Sequence, residues 1–269
     1  MLCSMKPNTG RRQNDPNNNM DEAAKYWYNG QVTQTPKAFP GEMEEALSRI
    51  EELVNEQISK RKRFPFEWAG SPKAWRANVA ASNCYRGSKE GVGPHSDRLT
   101  YLGPYPTIAS LSLGTTRTFR LREVIPAANK EKRQAQTFDI PLPHNSLLIM
   151  HPPTQEFFKH SIPTVKSIDT FRPNHPRILG EDTRKYNERI NITFRFYRPD
   201  FQPTFIPRCH CEGNIPMTLK SNQKRRGEDA SFFWQCQAGA QNEGKTCYYW
   251  KEMDMEAEGR GPCIKDIPT

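Results

Sequence analysis

Two periodicities divide the chain. In GEMEEALSRIEELVNEQISKRKR, Met43, Leu47, Ile50, Leu53 and Val54 recur at helical spacing. Acidic residues lead and basic ones trail, as the helix macrodipole favours, so this stretch predicts one amphipathic helix. From Trp75 the period shortens. ANVAASNCY, TIASLSLG, TRTFRLRE, QTFDIPL, NSLLIMHP, FFKHSIPTV and RINITFRFY read as strands between Gly, Pro and Asn punctuation. Many short strands and one strong helix predict a mainly β fold, a sandwich or barrel. Residues 171–188 read as a polar loop.

The flanks differ. Residues 1–38 are rich in Asn, Pro and Gly and predict a largely disordered N-terminus, although YWYNG at 26–30 is too aromatic for a plain linker. The strand pattern occupies 39–205. A cysteine-bearing module follows at 208–251, then an acidic, Gly/Pro-rich tail at 252–269 that predicts a flexible end.

Length and composition narrow this. A chain of 269 residues can bury one sizeable core plus a small module. No apolar run is long enough to span a bilayer, so no membrane association is expected. The first 20 residues have no apolar core, which argues against a secretory signal and for a reducing compartment. There, cysteines serve as metal ligands or free thiols. A net charge of +9 favours polyanionic partners, nucleic acid first.

The candidate chemistry lies in GVGPHSD. His95 and Asp97, two apart, can place two ligands on one side of an extended chain, and His160 supplies a third. Two histidines and one carboxylate on one face of a metal form the facial triad of non-haem iron oxygenases, which leaves positions for a keto acid and O2. A dicarboxylate such as 2-oxoglutarate then needs a cation for its far end. Arg189 and Arg195, six apart on one strand, share a face and suit the task.

With NCYRGSKEGVGPHSD, TIASLSLGTTRTFRLR, PLPHNSLLIMHPPTQEFFKHSIP and RINITFRFY on the page, residues 39–199 resemble the AlkB family, nearest its eukaryotic DNA/RNA repair branch. The resemblance implies a double-stranded β-helix (jelly roll) and an Fe(II)/2-oxoglutarate-dependent dioxygenase. Such enzymes oxidatively remove alkyl groups from nucleic acid bases, releasing formaldehyde and succinate. It implies iron at His95, Asp97 and His160, with Asn83, Tyr85, Arg189, Thr193 and Arg195 around the co-substrate. Of these, Arg195 would hold the distal carboxylate. Tyr28 would stack on the flipped base and Tyr26 would reach its polar edge, in a remnant of the family's base-binding lid. The expected partner is single-stranded or base-flipped DNA, or RNA, and the expected location the nucleus, with the cytoplasm as well.

The chain departs from that pattern after His-x-Asp. Where repair members carry acids that accept from a base amine, it has Arg98 and Leu99. Arginine cannot accept a hydrogen bond and repels a cationic methylated base, so either the substrate differs or Arg98 turns to a phosphate. Two rival readings follow: the same chemistry on a protein side chain or 6-methyladenine, or a non-enzymatic nucleic-acid binder with a degenerate core.

In the module, Cys209, Cys211, Cys236 and Cys247 suffice for tetrahedral Zn(II), and His210 could replace one. The spacing resembles a GRF-type zinc finger, which implies single-stranded nucleic-acid binding, but the family's Gly-Arg-x-Phe element reads ASFF here. Seven basic against four acidic residues, with Phe232, Phe233 and Trp234 for stacking, fit that role; a protein-binding knob is the alternative.

Overall fold

The chain alternates between a face that must meet a helix and a face that must line a cavity, and its strands are built accordingly. The computed structural model describes residues 2–6, 27–28, 31–32, 37–70, 75–126, 129, 131–169, 187–212, 214–222, 230–238 and 247–264. Helix α1 (Gly41–Ser59) forms where the helical period predicts it. Met43, Leu47, Ile50, Val54 and Ile58 are buried, whereas Leu53 turns outward. The helix stops before KRKR, and Arg61 and Arg63 instead converge on the buried Glu67.

The strands are β1 (Leu2–Lys6), β2 (Trp27–Tyr28), β3 (Gln31–Val32), β4 (Lys37–Ala38), β5 (Val79–Arg86), β6 (Val92–His95), β7 (Ile108–Gly114), β8 (Arg117–Glu123), β9 (Thr137–Leu142), β10 (Ser146–Met150), β11 (Phe158–Ile162) and β12 (Glu188–Arg195). Among the described residues they make a larger sheet in the order β10-β7-β12-β5-β1-β4 and a smaller one in the order β6-β11-β8-β9. A short helix, α2 (Thr154–Phe157), leads into β11. The expected jelly-roll class is borne out.

On the large sheet, Ala80, Ala109 and Phe194 share one buried cluster with the apolar stripe of α1. The opposite face of β12 carries Arg189, Asn191, Thr193 and Arg195, buried polar residues at period two. Between the sheets, Val79, Ile108, Phe119, Leu142, Met150 and Ile162 form the barrel's own core.

Two expectations about the flanks need correction. Leu2–Lys6 is not disordered: β1 pairs antiparallel with β5 over Leu2↔Asn83 to Met5↔Ala80, and β4 runs parallel to it. The second edge of β5 would otherwise expose a row of unpaired backbone groups. Residues 252–264 are not a free tail either. After β13 (Thr218–Asn222), β14 (Ser231–Gln235) and β15 (Trp250–Glu252), which form a three-stranded sheet, Met253 and Met255 are buried. Ile264 N donates to Glu67 O at 2.9 Å and Ala69 N to Pro262 O at 3.0 Å. Arg260 lies over the rings of Phe201 (4.3 Å) and Trp234 (5.0 Å) and pairs with Glu258 at 2.7 Å. Alternating acids and methionines read as a tail, yet the methionines supply the buried side. No helix among the described residues is long and apolar enough to cross a membrane.

Candidate active site and cysteine cluster

β6 and β11 are neighbours in register His160↔His95, so two histidines far apart in sequence sit side by side, ring centroids 4.3 Å apart. Asp97 follows β6 directly. Its Oδ1 lies 3.8 Å from His95 Nε2 and 3.7 Å from His160 Nε2. One ligand atom from each falls within 4.8 Å of the others. Asp97 Oδ1 is buried without a hydrogen-bond partner, and a cation between the three side chains would satisfy it. His95 Nδ1 is 2.8 Å from Gly93 O. A proton donated there leaves the Nε2 lone pair facing the cluster. Burial pushes His160 down to about 4, which keeps its ring neutral and able to ligate. Burial alone would raise Asp97, but Arg195 and the two histidines bring it down to about 2. The donor set therefore fits Fe(II), with one histidine buried and the other open to the mouth.

The cluster opens on a cleft of about 390 Å3 lined by Asn83, Tyr85, Ser110, Asn191, Thr193 and Arg195 among others. Here the two arginines separate. Arg195 Nε donates to Asp97 Oδ2 at 2.8 Å, so it is already engaged with the carboxylate in the cluster. Arg189 is almost fully buried, with Nη2 donating to Ser112 Oγ and Asn191 Oδ1, both at 2.8 Å. Its Nε and Nη1 have no hydrogen-bond partner, and the Tyr85 ring lies 5.6 Å from its charge. Burial lowers it to about 10. A buried cation with two idle donors is costly unless an anion meets it. Arg195 is thus the arginine paired with Asp97, and Arg189 the deeper one with unmatched donors.

Asn191 escaped the sequence reading. It accepts from Ser110 Oγ at 2.7 Å and from Arg189, and donates to Thr193 Oγ1 at 2.8 Å, so it orders the polar wall. An Asn two residues after one inward Arg and two before an inward Thr was the available signal. Arg98 is exposed and Leu99 buried, so these adjacent residues part company. Tyr26 lies outside the described residues, and Tyr28 contributes backbone to the β2–β3 pairing.

The second cluster is Cys209, Cys211, Cys236 and Cys247. Cys209 and Cys247 sulfurs are 3.6 Å apart, and those of Cys211 and Cys236 3.7 Å. Four thiolates at ~2.3 Å from one zinc stand roughly 3.8 Å apart in a tetrahedron. His210 stays outside this set, its ring against Tyr249 at 5.9 Å. The expected stacking residues need correction: Phe232 and Trp234 are buried, because β14 turns them into the core, and only Phe233 faces out.

Residues 4–195 match the family model of the 2OG-Fe(II) oxygenase superfamily. The chain belongs to that superfamily. This oxygenase is similar to mouse alpha-ketoglutarate-dependent dioxygenase alkB homolog 3, 37% identical over 132 residues, which is 49% of this chain and 40% of that protein. The human homolog 3 is 37% identical over 124 residues, 46% of this chain and 37% of that one. Mouse DNA oxidative demethylase ALKBH2 is 27% identical over 179 residues, 66% of this chain and 59% of that one. The oxygenase thus spans between about a third and three fifths of the length of these relatives. Among solved structures, "The structure of OsALKBH1" aligns with a TM-score of 0.41 at 17% identity, over 72% of this chain and 77% of that one.

Proposed function

We propose that this oxygenase oxidatively removes alkyl groups from bases in nucleic acid, with Fe(II) at His95, Asp97 and His160 and 2-oxoglutarate in the adjoining cleft. The carrying observation is the pairing of an open two-histidine, one-carboxylate cluster with the idle buried cation of Arg189. When bound, iron and 2-oxoglutarate supply the oxidation: O2 and the keto acid become CO2 and succinate, and one oxygen atom enters the N-alkyl carbon, whose hemiaminal splits into repaired base and formaldehyde. Arg189 receives the distal carboxylate, while Asn83, Tyr85 and Thr193 line its path. Arg195 holds Asp97 at the angle ligation needs. Arg98, exposed next to Asp97, meets a phosphate, and contact with the base is assigned to Tyr26 and Tyr28. The similarity to a DNA oxidative demethylase supports this substrate class, and a nuclear location goes with it.

The cysteine module holds Zn(II) in the manner of a GRF-type finger and grips the strand. Phe233 stands 6.1 Å from the ring of Trp250, with Lys220 opposite it across the ladder, and Tyr248 and Trp250 are exposed. Exposed rings beside a cation suit single-stranded bases and phosphates.

The test is incubation with Fe(II), 2-oxoglutarate, O2 and a panel of methylated oligonucleotides, reading formaldehyde and repaired base. Absence of turnover on every base by an iron-loaded protein overturns the proposal. The missing acids at 98 and 99 favour a second reading, another substrate such as 6-methyladenine or a protein side chain. Succinate release stimulated by peptide and by no nucleic acid selects the latter.

A further inference from the structure

The segment after Asp97 is not held by the barrel alone. Leu99, two residues on, is buried in the same apolar cluster as Cys209, Met217, Leu219, Phe232, Trp234 and Cys236 of the cysteine module. Leu219 N donates to Thr100 Oγ1 at 3.3 Å, and Ala230 N to Tyr105 OH at 2.8 Å. The Tyr105 ring meets Phe232 edge-on at 5.2 Å and stacks on Phe64 at 4.5 Å. Tyr105 has φ +52°, a conformation a bulky residue keeps only when its surroundings over-determine it.

The other side of the same segment is gripped by α2, the turn that leads into His160. Asp97 N donates to Gln155 Oε1 at 2.8 Å, and Tyr105 N to Glu156 Oε1 at 3.0 Å. Residues 97–105 are therefore clamped between the short helix that leads into the second histidine's strand and the cysteine module. This also accounts for Leu99: the position after Arg98 packs into the module, so it is apolar.

We propose that the cysteine module is a positioning element of the iron site, in which metal held by the four cysteines fixes Asp97 through Leu99, Thr100 and Tyr105. This rests on the reading of the two clusters as an iron and a zinc site. Cys209 and Cys236 belong to the same buried cluster as Leu99 and Tyr105, and Cys211 and Cys247 pack against it, so losing the metal they hold loosens the surface on which Leu99 and Tyr105 rest. Asp97 then samples positions away from the two histidines, and iron affinity falls although neither histidine has changed.

The test uses the full chain as purified with zinc. Mn(II) with 2-oxoglutarate reports the iron site, because a hard cation prefers the nitrogen and oxygen ligands to thiolates. Binding is read from the loss of the free Mn(II) paramagnetic resonance signal. Tyr105→Phe deletes one hydrogen bond and keeps the ring, so it should weaken Mn(II) binding about fivefold with little change in melting temperature. Cys211→Ser should lose the zinc and weaken Mn(II) binding at least about tenfold. Arg49→Ala, on the exposed face of α1, should bind as wild type. Wild-type Mn(II) affinity in folded, zinc-free Cys211→Ser overturns the inference. Should Cys211→Ser not fold, unchanged affinity in Tyr105→Phe overturns it. Failure of the wild type itself to bind Mn(II) strikes instead at the iron reading.

Discussion

The two clusters differ in what they leave open. The cysteine cluster brings together four sulfurs of one kind, as many ligands as a tetrahedral metal takes. The cluster of His95, Asp97 and His160 keeps one histidine 39% exposed by side chain and faces a cleft whose wall residue Asn191 is held by the buried, half-idle Arg189. A closed set stabilises a fold; an open set beside an unmatched charge leaves room for a reaction. Ligand number, residue type and the state of the neighbouring charges separate the two, and burial does not, since both mix buried and partly buried ligands.

The sharpest way to break the comparison is to remove a ligand from the open set. His160→Ala should lower turnover by at least about a hundredfold while melting with its zinc retained, checked by formaldehyde release and metal analysis. Next comes the charge beside it. Arg189→Met should weaken 2-oxoglutarate binding by roughly ten- to a hundredfold, as loss of a charge-assisted pair does, measured by calorimetry. The same change should raise the melting temperature of the ligand-free protein, because it removes a buried cation with unsatisfied donors.

The joint between the regions should respond in stability. Arg260→Ala removes the cation between Phe201 and Trp234 and leaves Glu258 without that partner, for a loss of about 3 kcal/mol in denaturant unfolding. A smaller effect, and one tied to pH, belongs to Glu156. Burial raises it from 4.5 to about 7. Its folded value exceeds its unfolded one, so the folded state holds the proton more tightly. That stability is complete below pH 4.5 and is lost as pH rises to about 7, roughly 3 kcal/mol at most. Glu156→Gln should flatten the unfolding free energy over that window; a slope unchanged from wild type would place the titration elsewhere.

Much of the barrel was legible because its strands have two differently covered faces. RINITFR alternates inward Arg, Asn, Thr and Arg with outward Ile, Ile and Phe; of the outward set Ile192 and Phe194 pack in the cluster with α1, and Ile190 is exposed. His-x-Asp and the later His were legible as a set because few structures other than a metal site require that order of residue types. The division of labour between Arg189 and Arg195 was not. Both lie on the same strand face, and only the approach of Asp97, 98 residues before Arg195, decides which one is engaged. Residues 2–6 and 252–264 were misjudged for a related reason: their order comes from a sheet edge and a core formed elsewhere in the chain.

The sequence by itself determined the repeating faces, the helix, the jelly-roll class and the identities of seven metal-ligating candidates, because these depend on local period and residue chemistry. Only the tertiary structure decided which arginine pairs with Asp97, which aromatic rings of the module face solvent, and that Leu99 belongs to the module rather than to the mouth of the cleft. Those depend on what approaches from a distance, and a side chain's charge state and exposure are properties of its neighbours in space.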